Sequence, residues 1–168
     1  MKKVLLVLVV LFLAVQFWPV DRSNPPGTSP LTAPPEVTAI LEASCNDCHT
    51  NETRWPWYSR VAPVSIWIAH HVEEGRAELN LSNWGEYSAS RADHKLEELV
   101  ELVENGEMPL PSYLWGHGDA RLSPEQVETL VGWAEATRAE LAPAVEAERR
   151  EAEGEQPPAA PAASEPGG

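Results

Sequence analysis

The 168-residue chain sets 12 Lys/Arg against 26 Asp/Glu, a net charge of −14, and carries seven tryptophans. The acidity belongs to its middle: residues 36–142 hold 7 Lys/Arg and 19 Asp/Glu, net −12, which excludes nucleic acid as a partner because phosphate neutralisation needs clustered cations. Only that stretch can build a core, so the chain holds one small domain, near the lower size at which burial alone suffices.

In chain order, Met1-Lys2-Lys3 precedes Val4 to Trp18, which contains no charged residue. A basic start before an apolar run reads as an export signal or a signal anchor. No small-residue cleavage site follows at Gln16-Phe17-Trp18-Pro19, and Trp18 suits an interfacial position. The expectation is an uncleaved transmembrane helix over residues 1–18, slightly short of the ~20 residues of a full span. It would fix the protein as single-pass in a bacterial cytoplasmic membrane, with the rest of the chain on the periplasmic side. A soluble periplasmic protein after signal cleavage is the alternative. Residues 19–35, rich in proline, are expected to be an extended linker.

Pro35 opens a short predicted helix with Val37, Ile40 and Leu41 on one face, running into Cys45. Thr50 to Pro63, containing Trp55-Pro56-Trp57-Tyr58, reads as an aromatic loop. Val64 to Leu79 is predicted helical, with Ile68 and Val72 inward and Gly75 weakening it. Ser90 to Asn105 has the clearest amphipathic pattern, with Leu96, Leu99, Val100 and Val103 on one face and Gly106 where a C-cap belongs. Gly106 to Leu122 reads as loop. Ser123-Pro124-Glu125-Gln126 is a capped helix start, continued by Val127, Leu130, Val131, Ala134 and Leu141. No segment alternates as a strand would, so the fold class is all-α, with a small domain over 36–142. The Ala/Pro/Glu-rich tail, 143–168, is expected to extend the last helix briefly and then to be largely disordered.

The chemistry concentrates in Cys45-Asn46-Asp47-Cys48-His49, which contains the only two cysteines. Cys-x-x-Cys-His is the attachment sequence of c-type haem. Two thiols add across the vinyl groups on one porphyrin edge, and the next residue falls beneath the iron as an axial ligand. One covalent haem c on Cys45 and Cys48, with His49 as proximal iron ligand, is the expectation. Three other readings use the same residues: a thioredoxin-like redox pair, which wants a βαβ context; a zinc site, which wants four ligands; and a plain disulfide closing a short loop.

His–Met ligation is common in cytochromes c and raises the iron's potential. Met1 lies in the N-terminal segment, which leaves Met108, in Gly106-Glu107-Met108-Pro109, as the distal-ligand candidate; otherwise it is a core filler. An attachment motif after a first helix, with methionine in a loop before the last, follows the class I cytochrome c plan. His117 is the alternative ligand, while His70, His71 and His94 read as polar helix residues. Trp55, Trp57 and Tyr58 could pack on the haem, with Arg54 and Arg60 on its propionates. Equally, they are core aromatics and surface charge.

Several motifs in order carry a family resemblance. They are Cys45-Asn46-Asp47-Cys48-His49, Trp55-Pro56-Trp57-Tyr58, Ala62-Pro63, and His71-Val72 with Glu74-Gly75-Arg76. Leu79-Asn80, Ser82, Trp84, Gly106-Glu107-Met108-Pro109, Tyr113, His117, Leu122-Ser123 and Trp133 complete the set. The sequence resembles the bacterial haem-binding domain family of small exported proteins, over nearly all of residues 36–135. The resemblance implies a cytochrome c-like helical domain with His49 and Met108 as axial ligands. It implies no substrate.

The leading expectation for function is single-electron transfer to other exported or membrane redox proteins, with basic surfaces that suit the acidic domain. A peroxidase-like haem enzyme or sensor with a labile or absent sixth ligand is the alternative. An accessory subunit whose haem is incidental is a third. Nothing in the chain supplies an obvious catalytic acid–base pair, so the carrier reading leads.

Overall fold

The computed structural model describes residues 1–154. Among them the regular elements are helical: α1 (Lys2–Val15), α2 (Pro35–Ser44), α3 (Asn46–His49), α4 (Val64–Glu78), α5 (Ala89–Glu104), α6 (Pro111–Leu114) and α7 (Pro124–Ala152). Tight 3-10 turns lie at Trp57–Arg60, Leu81–Glu86 and Gly118–Ala120.

Local chemistry accounts for the starts and stops. Proline occupies the first turn of α2 and of α7, where a missing N–H costs nothing. At α7, the Ser123 hydroxyl accepts from the Gln126 N–H at 3.2 Å, and the Gln126 side chain accepts from the Ser123 N–H at 2.9 Å. That reciprocal pair satisfies two amides that the helix cannot. Helix α5 is closed off by Gly106, two residues past its end, whose φ of +70° suits a residue without a Cβ. The Gly106 N–H then reaches the Val103 carbonyl at 3.1 Å, and the Glu107 N–H reaches the Leu102 carbonyl at 2.9 Å.

The core forms where Val37, Ile40 and Leu41 of α2 meet Leu81, Val103 of α5 and Leu130 of α7. Helices α5 and α7 pack as an antiparallel pair. Arg138 of α7 bridges Asp93 at 2.9 Å and Glu97 at 3.1 Å on α5. Of the inward faces expected from the sequence, Leu96, Val103, Leu130 and Ala134 are buried, while Leu99, Val100 and Ile68 are half-buried.

Helix α7 continues past residue 142, as the sequence reading allowed. It runs through Pro143 to Ala152, and Glu148 accepts from the Ala89 N–H at 2.8 Å and the Ser90 N–H at 3.0 Å. A carboxylate at a helix N-terminus meets unpaired amides and the positive end of the helix dipole. Residues 155–168 of the expected disordered tail lie outside the described residues.

The proline-rich segment 19–35 is not a free tether. The Leu31 N–H donates to the Leu81 carbonyl at 2.8 Å, and the Gly85 N–H donates to the Ser29 carbonyl at 3.0 Å. A Cβ on Gly27 would lie 2.9 Å from the Ser82 carbonyl oxygen, so the strap approaches closely enough to need glycine there. Composition predicts an extended backbone, but not the surface it lies on.

The transmembrane helix expected over residues 1–18 is corrected. Helix α1 has 14 residues, about 21 Å at 1.5 Å per residue, against a hydrocarbon core of ~30 Å. Among the described residues no helix is long and apolar enough to cross a membrane. The local reason is Gln16, just past the helix end. Its Nε2 donates to the Phe12 carbonyl at 2.9 Å and the Ala62 carbonyl at 3.0 Å, and its Oε1 accepts from the Ala62 N–H at 3.0 Å. The expected single-pass location in a bacterial cytoplasmic membrane rested on that span and is corrected with it.

Candidate functional site

The cysteine pair sits at the junction of α2 and α3. The N–H groups of Cys48 and His49 both donate to the Cys45 carbonyl, at 3.1 and 3.0 Å, winding the four-residue turn that brings Cys45, Cys48 and His49 to one wall. Helix α4 crosses behind this turn at Gly75. A Cβ there would meet the Cys48 carbonyl oxygen at 2.7 Å and the Cys48 Cβ at 3.1 Å. The glycine that weakens α4 as a helix is what lets α4 touch α3.

That approach orients His49. Its Nδ1 lies 2.9 Å from the Gly75 carbonyl oxygen and 3.0 Å from that of Leu79. Carbonyls only accept, so Nδ1 carries the hydrogen and Nε2 keeps its lone pair. Burial pushes the His49 pKa below its ordinary value, against the pull of the two carbonyls, and so favours the neutral, ligating form. Burial likewise pushes the thiol of Cys45 up to about 12 and that of Cys48 up to about 11. This is the reverse of the lowered thiol of a redox-active pair.

Asp47, between the cysteines, is buried beneath a charged clasp. Its Oδ1 accepts from Arg54 Nε at 3.0 Å and from the Arg54 N–H at 3.1 Å, and its Oδ2 accepts from the Tyr113 hydroxyl at 2.8 Å. Burial alone would raise this carboxyl; the bonds from Arg54 and Tyr113 outweigh it and hold the pKa below the ordinary value. Arg76 fixes the following loop. Its guanidinium donates to the Thr50 carbonyl at 2.8 Å, Thr53 Oγ1 at 2.9 Å, the Ser23 carbonyl at 3.0 Å and Asn24 Oδ1 at 3.0 Å.

In front of the cysteines opens a cavity of about 480 Å³. Leu41, Ser44 and the cysteines form one side, with His71, Gly75, Glu78 and Leu79 of the α4 region next to them. Lys95, Leu99, Leu102 and Val103 of α5 face them, and Met108, Pro109, Leu110, Tyr113 and Leu122 close it. Its size falls within the range of cofactor pockets, and its walls are largely apolar. Among the described residues no group of three or more His, Cys, Asp or Glu could hold a metal ion by itself, so the zinc reading finds no support.

Residues 10–136 match the family model described as Haem-binding domain. The chain belongs to the haem-binding domain family. It is a haem-binding protein, and the cavity suits the group: an apolar slot that holds the free Nε2 of His49, one thioether and two thiols. No curated protein matches the chain. No solved structure matches it. The family match begins inside α1 and includes the strap, which the sequence resemblance over 36–135 left out.

Of the site residues expected from the sequence, Cys45, Cys48, His49 and Met108 line one cavity together. Arg54, Tyr58 and His117 instead line a neighbouring cavity of about 360 Å³. Trp57 is 77% exposed, and Trp55 donates to Asn24 Oδ1 at 3.3 Å on the strap; neither lines the cavity of the cysteines. His70 pairs with Glu74 at 3.2 Å, and His94 lies near Glu97 and Glu98 on an exposed face. Arg60 is exposed on the aromatic turn. Sequence reasoning missed Lys95, whose side chain is only 11% exposed and bonds Glu98 at 2.7 Å. Its spacing to Leu99 and Leu102 along α5, four and seven residues, was the available signal.

Proposed function

We propose that this chain is a covalent haem c protein and a single-electron carrier, with Cys45 and Cys48 forming the thioethers and His49 and Met108 the axial iron ligands. The observation that carries the reading is the meeting of these four side chains in one apolar cavity, with His49 Nε2 left free by the bonds at Nδ1. When bound, the haem supplies a reversible one-electron couple. The protein's residues have simpler tasks. Gly75 and Leu79 hold the imidazole's orientation through their carbonyls, which also makes Nε2 a better donor. Leu99, Leu102, Leu110 and Leu122 exclude water.

The turn at Gly106 delivers Met108. The Met108 N–H donates to the Leu102 carbonyl at 3.1 Å, and Met108 packs against the core cluster. Partners are other redox proteins with basic docking surfaces. The net −12 of residues 36–142 and the carboxylates of Glu74, Glu78 and Glu98 along the cavity support this.

Haem staining of the denatured protein, followed by its ferric absorption spectrum, tests both halves. Covalent haem keeps its colour with the chain after denaturation. Methionine ligation gives a weak far-red band that Met108→Ala abolishes. A colourless chain with two alkylatable thiols would refute the attachment. An unchanged low-spin spectrum in Met108→Ala would refute the distal ligand.

A haem enzyme or sensor is the second reading, favoured by His71. This residue lines the same cavity, and its Nδ1 is engaged by the Trp67 carbonyl at 2.9 Å, leaving Nε2 free. A high-spin spectrum with peroxide or carbon monoxide reactivity would select it.

A further inference from the structure

Beside the haem cavity lies the second one, about 360 Å³, which shares Cys48, His71, Leu110 and Tyr113 with it but is lined by neither Cys45 nor His49 nor Met108. Tyr58, Trp67, Tyr113, Trp115 and His117 make part of its wall aromatic, with the paired Asp47 and Arg54 at another part. Beyond residue 18, the exposed large hydrophobic side chains among the described residues are Trp57, Val61, Val64, Trp67 and Trp115. Val64, Trp67 and Trp115 belong to this cavity, and Trp57 packs edge-on against Tyr58, 5.7 Å between ring centres. Trp115 is 86% exposed. Apolar surface gathered around one concavity marks a binding site more than a structural need.

A polar group inside says what the ligand offers. His117 stacks on Tyr113 at 4.0 Å, and its Nδ1 lies 3.0 Å from the Tyr113 carbonyl oxygen. A carbonyl only accepts, so Nδ1 bears the hydrogen and Nε2 of the neutral ring is an acceptor. Its one partner here is the Tyr58 hydroxyl at 3.4 Å, a long bond that a better donor would displace. Gly116 leaves room at that hydroxyl: a Cβ there would lie 3.1 Å from it.

We propose that this second cavity binds a planar aromatic molecule bearing a ring hydroxyl, of the phenol or hydroquinone class. The ring packs among Trp67, Trp115 and Tyr58, and the hydroxyl donates to His117 Nε2. The assignment rests on the proposed function in one respect, that the haem fills the first cavity with Met108 and not His117 on the iron; it does not depend on whether the thioethers form.

The test is calorimetric titration of the haem-loaded full chain with 1-naphthol and, as the probe lacking the hydroxyl, naphthalene. The expected result is saturable binding of 1-naphthol, at least about tenfold tighter than naphthalene, the size of one good hydrogen bond. Trp115→Ala, a change at an exposed side chain, weakens both probes by about tenfold. His117→Phe keeps a ring stacked on Tyr113 and abolishes the preference for 1-naphthol. Absence of saturable binding to the unaltered protein overturns the assignment, as does equal affinity for the two probes, wild-type affinity in Trp115→Ala, or a preference that survives His117→Phe. Failure of the haem stain would leave these outcomes readable, because none of them is an electron-transfer rate.

Discussion

Asp47 lies between the two cysteines, and its carboxylate accepts from the Arg54 side chain, the Arg54 N–H and the Tyr113 hydroxyl. These bonds favour the charged form, so the carboxyl is held below its ordinary value of 3.8. The linkage sign follows. A depressed folded pKa means that the unfolded chain takes up the proton first, so the stabilisation is complete above the unfolded value and is lost as pH falls through the folded one. Wild-type Tm is therefore expected to drop faster below about pH 4 than that of Asp47→Asn, with the variant less stable at neutral pH; the check is thermal unfolding followed by circular dichroism from pH 7 to 2.5. Tyr113→Phe removes one bond to the same carboxylate and is expected to cost about 1–2 kcal/mol in urea unfolding, since the acceptor is charged and buried.

At the scale of the elements, the crossing of α4 over α3 is the contact on which the site's geometry depends. Gly→Ala in a helix interior ordinarily gains about 0.5–1 kcal/mol. At Gly75 the sign reverses, because the new methyl meets the Cys48 backbone at 2.7 Å. Gly75→Ala is expected to destabilise by about 1–3 kcal/mol, the usual cost of overpacking, and to disturb the haem spectrum through the His49 carbonyl partners. Gly132→Ala is the control, since nothing lies within 4 Å of a Cβ there, and it is expected to be neutral or stabilising. Chemical denaturation of the two variants side by side decides. In the α5–α7 pair, Leu130→Ala empties a fully buried position and is expected to cost about 3 kcal/mol.

These elements also divide what the sequence could tell from what it could not. Periodicity predicts a helix over 90–105, and α5 runs Ala89–Glu104; Ser123 to Gln126 encode a capping box that forms as written. Such signals lie within a turn or two of the chain. The Cys-x-x-Cys-His motif is local too. By contrast, the second cavity and the laying of the strap on Ser82 come from residues dozens of positions apart, which no spacing rule reaches. The aromatic segment 55–58 shows the limit best. Its composition leaves haem packing and plain core packing equally open, and only the packing of α6 and the Trp115–His117 turn decides that Tyr58 lines the second cavity rather than the first. Length misled at α1, where an apolar run of 15 residues hid a helix that ends at Val15.

For the whole molecule, charge governs encounters. An acidic domain attracts a basic partner over about 8–10 Å at moderate salt, and screening removes that attraction. Under the proposed carrier role, electron exchange with a basic redox protein is therefore expected to slow by about tenfold or more between low and high ionic strength, read as the rate of absorbance change in stopped flow. With an acidic partner the trend reverses.

The Arg76 guanidinium has one more implication, for any attempt to redesign the chain. Because a single side chain clamps Ser23 and Asn24 to the loop at Thr50 and Thr53, the span before residue 36 has a fixed length. Glycine–serine repeats inserted there would not act as a longer leash. They would slip the latch behind the cysteine pair and loosen the wall against which the cofactor must seat.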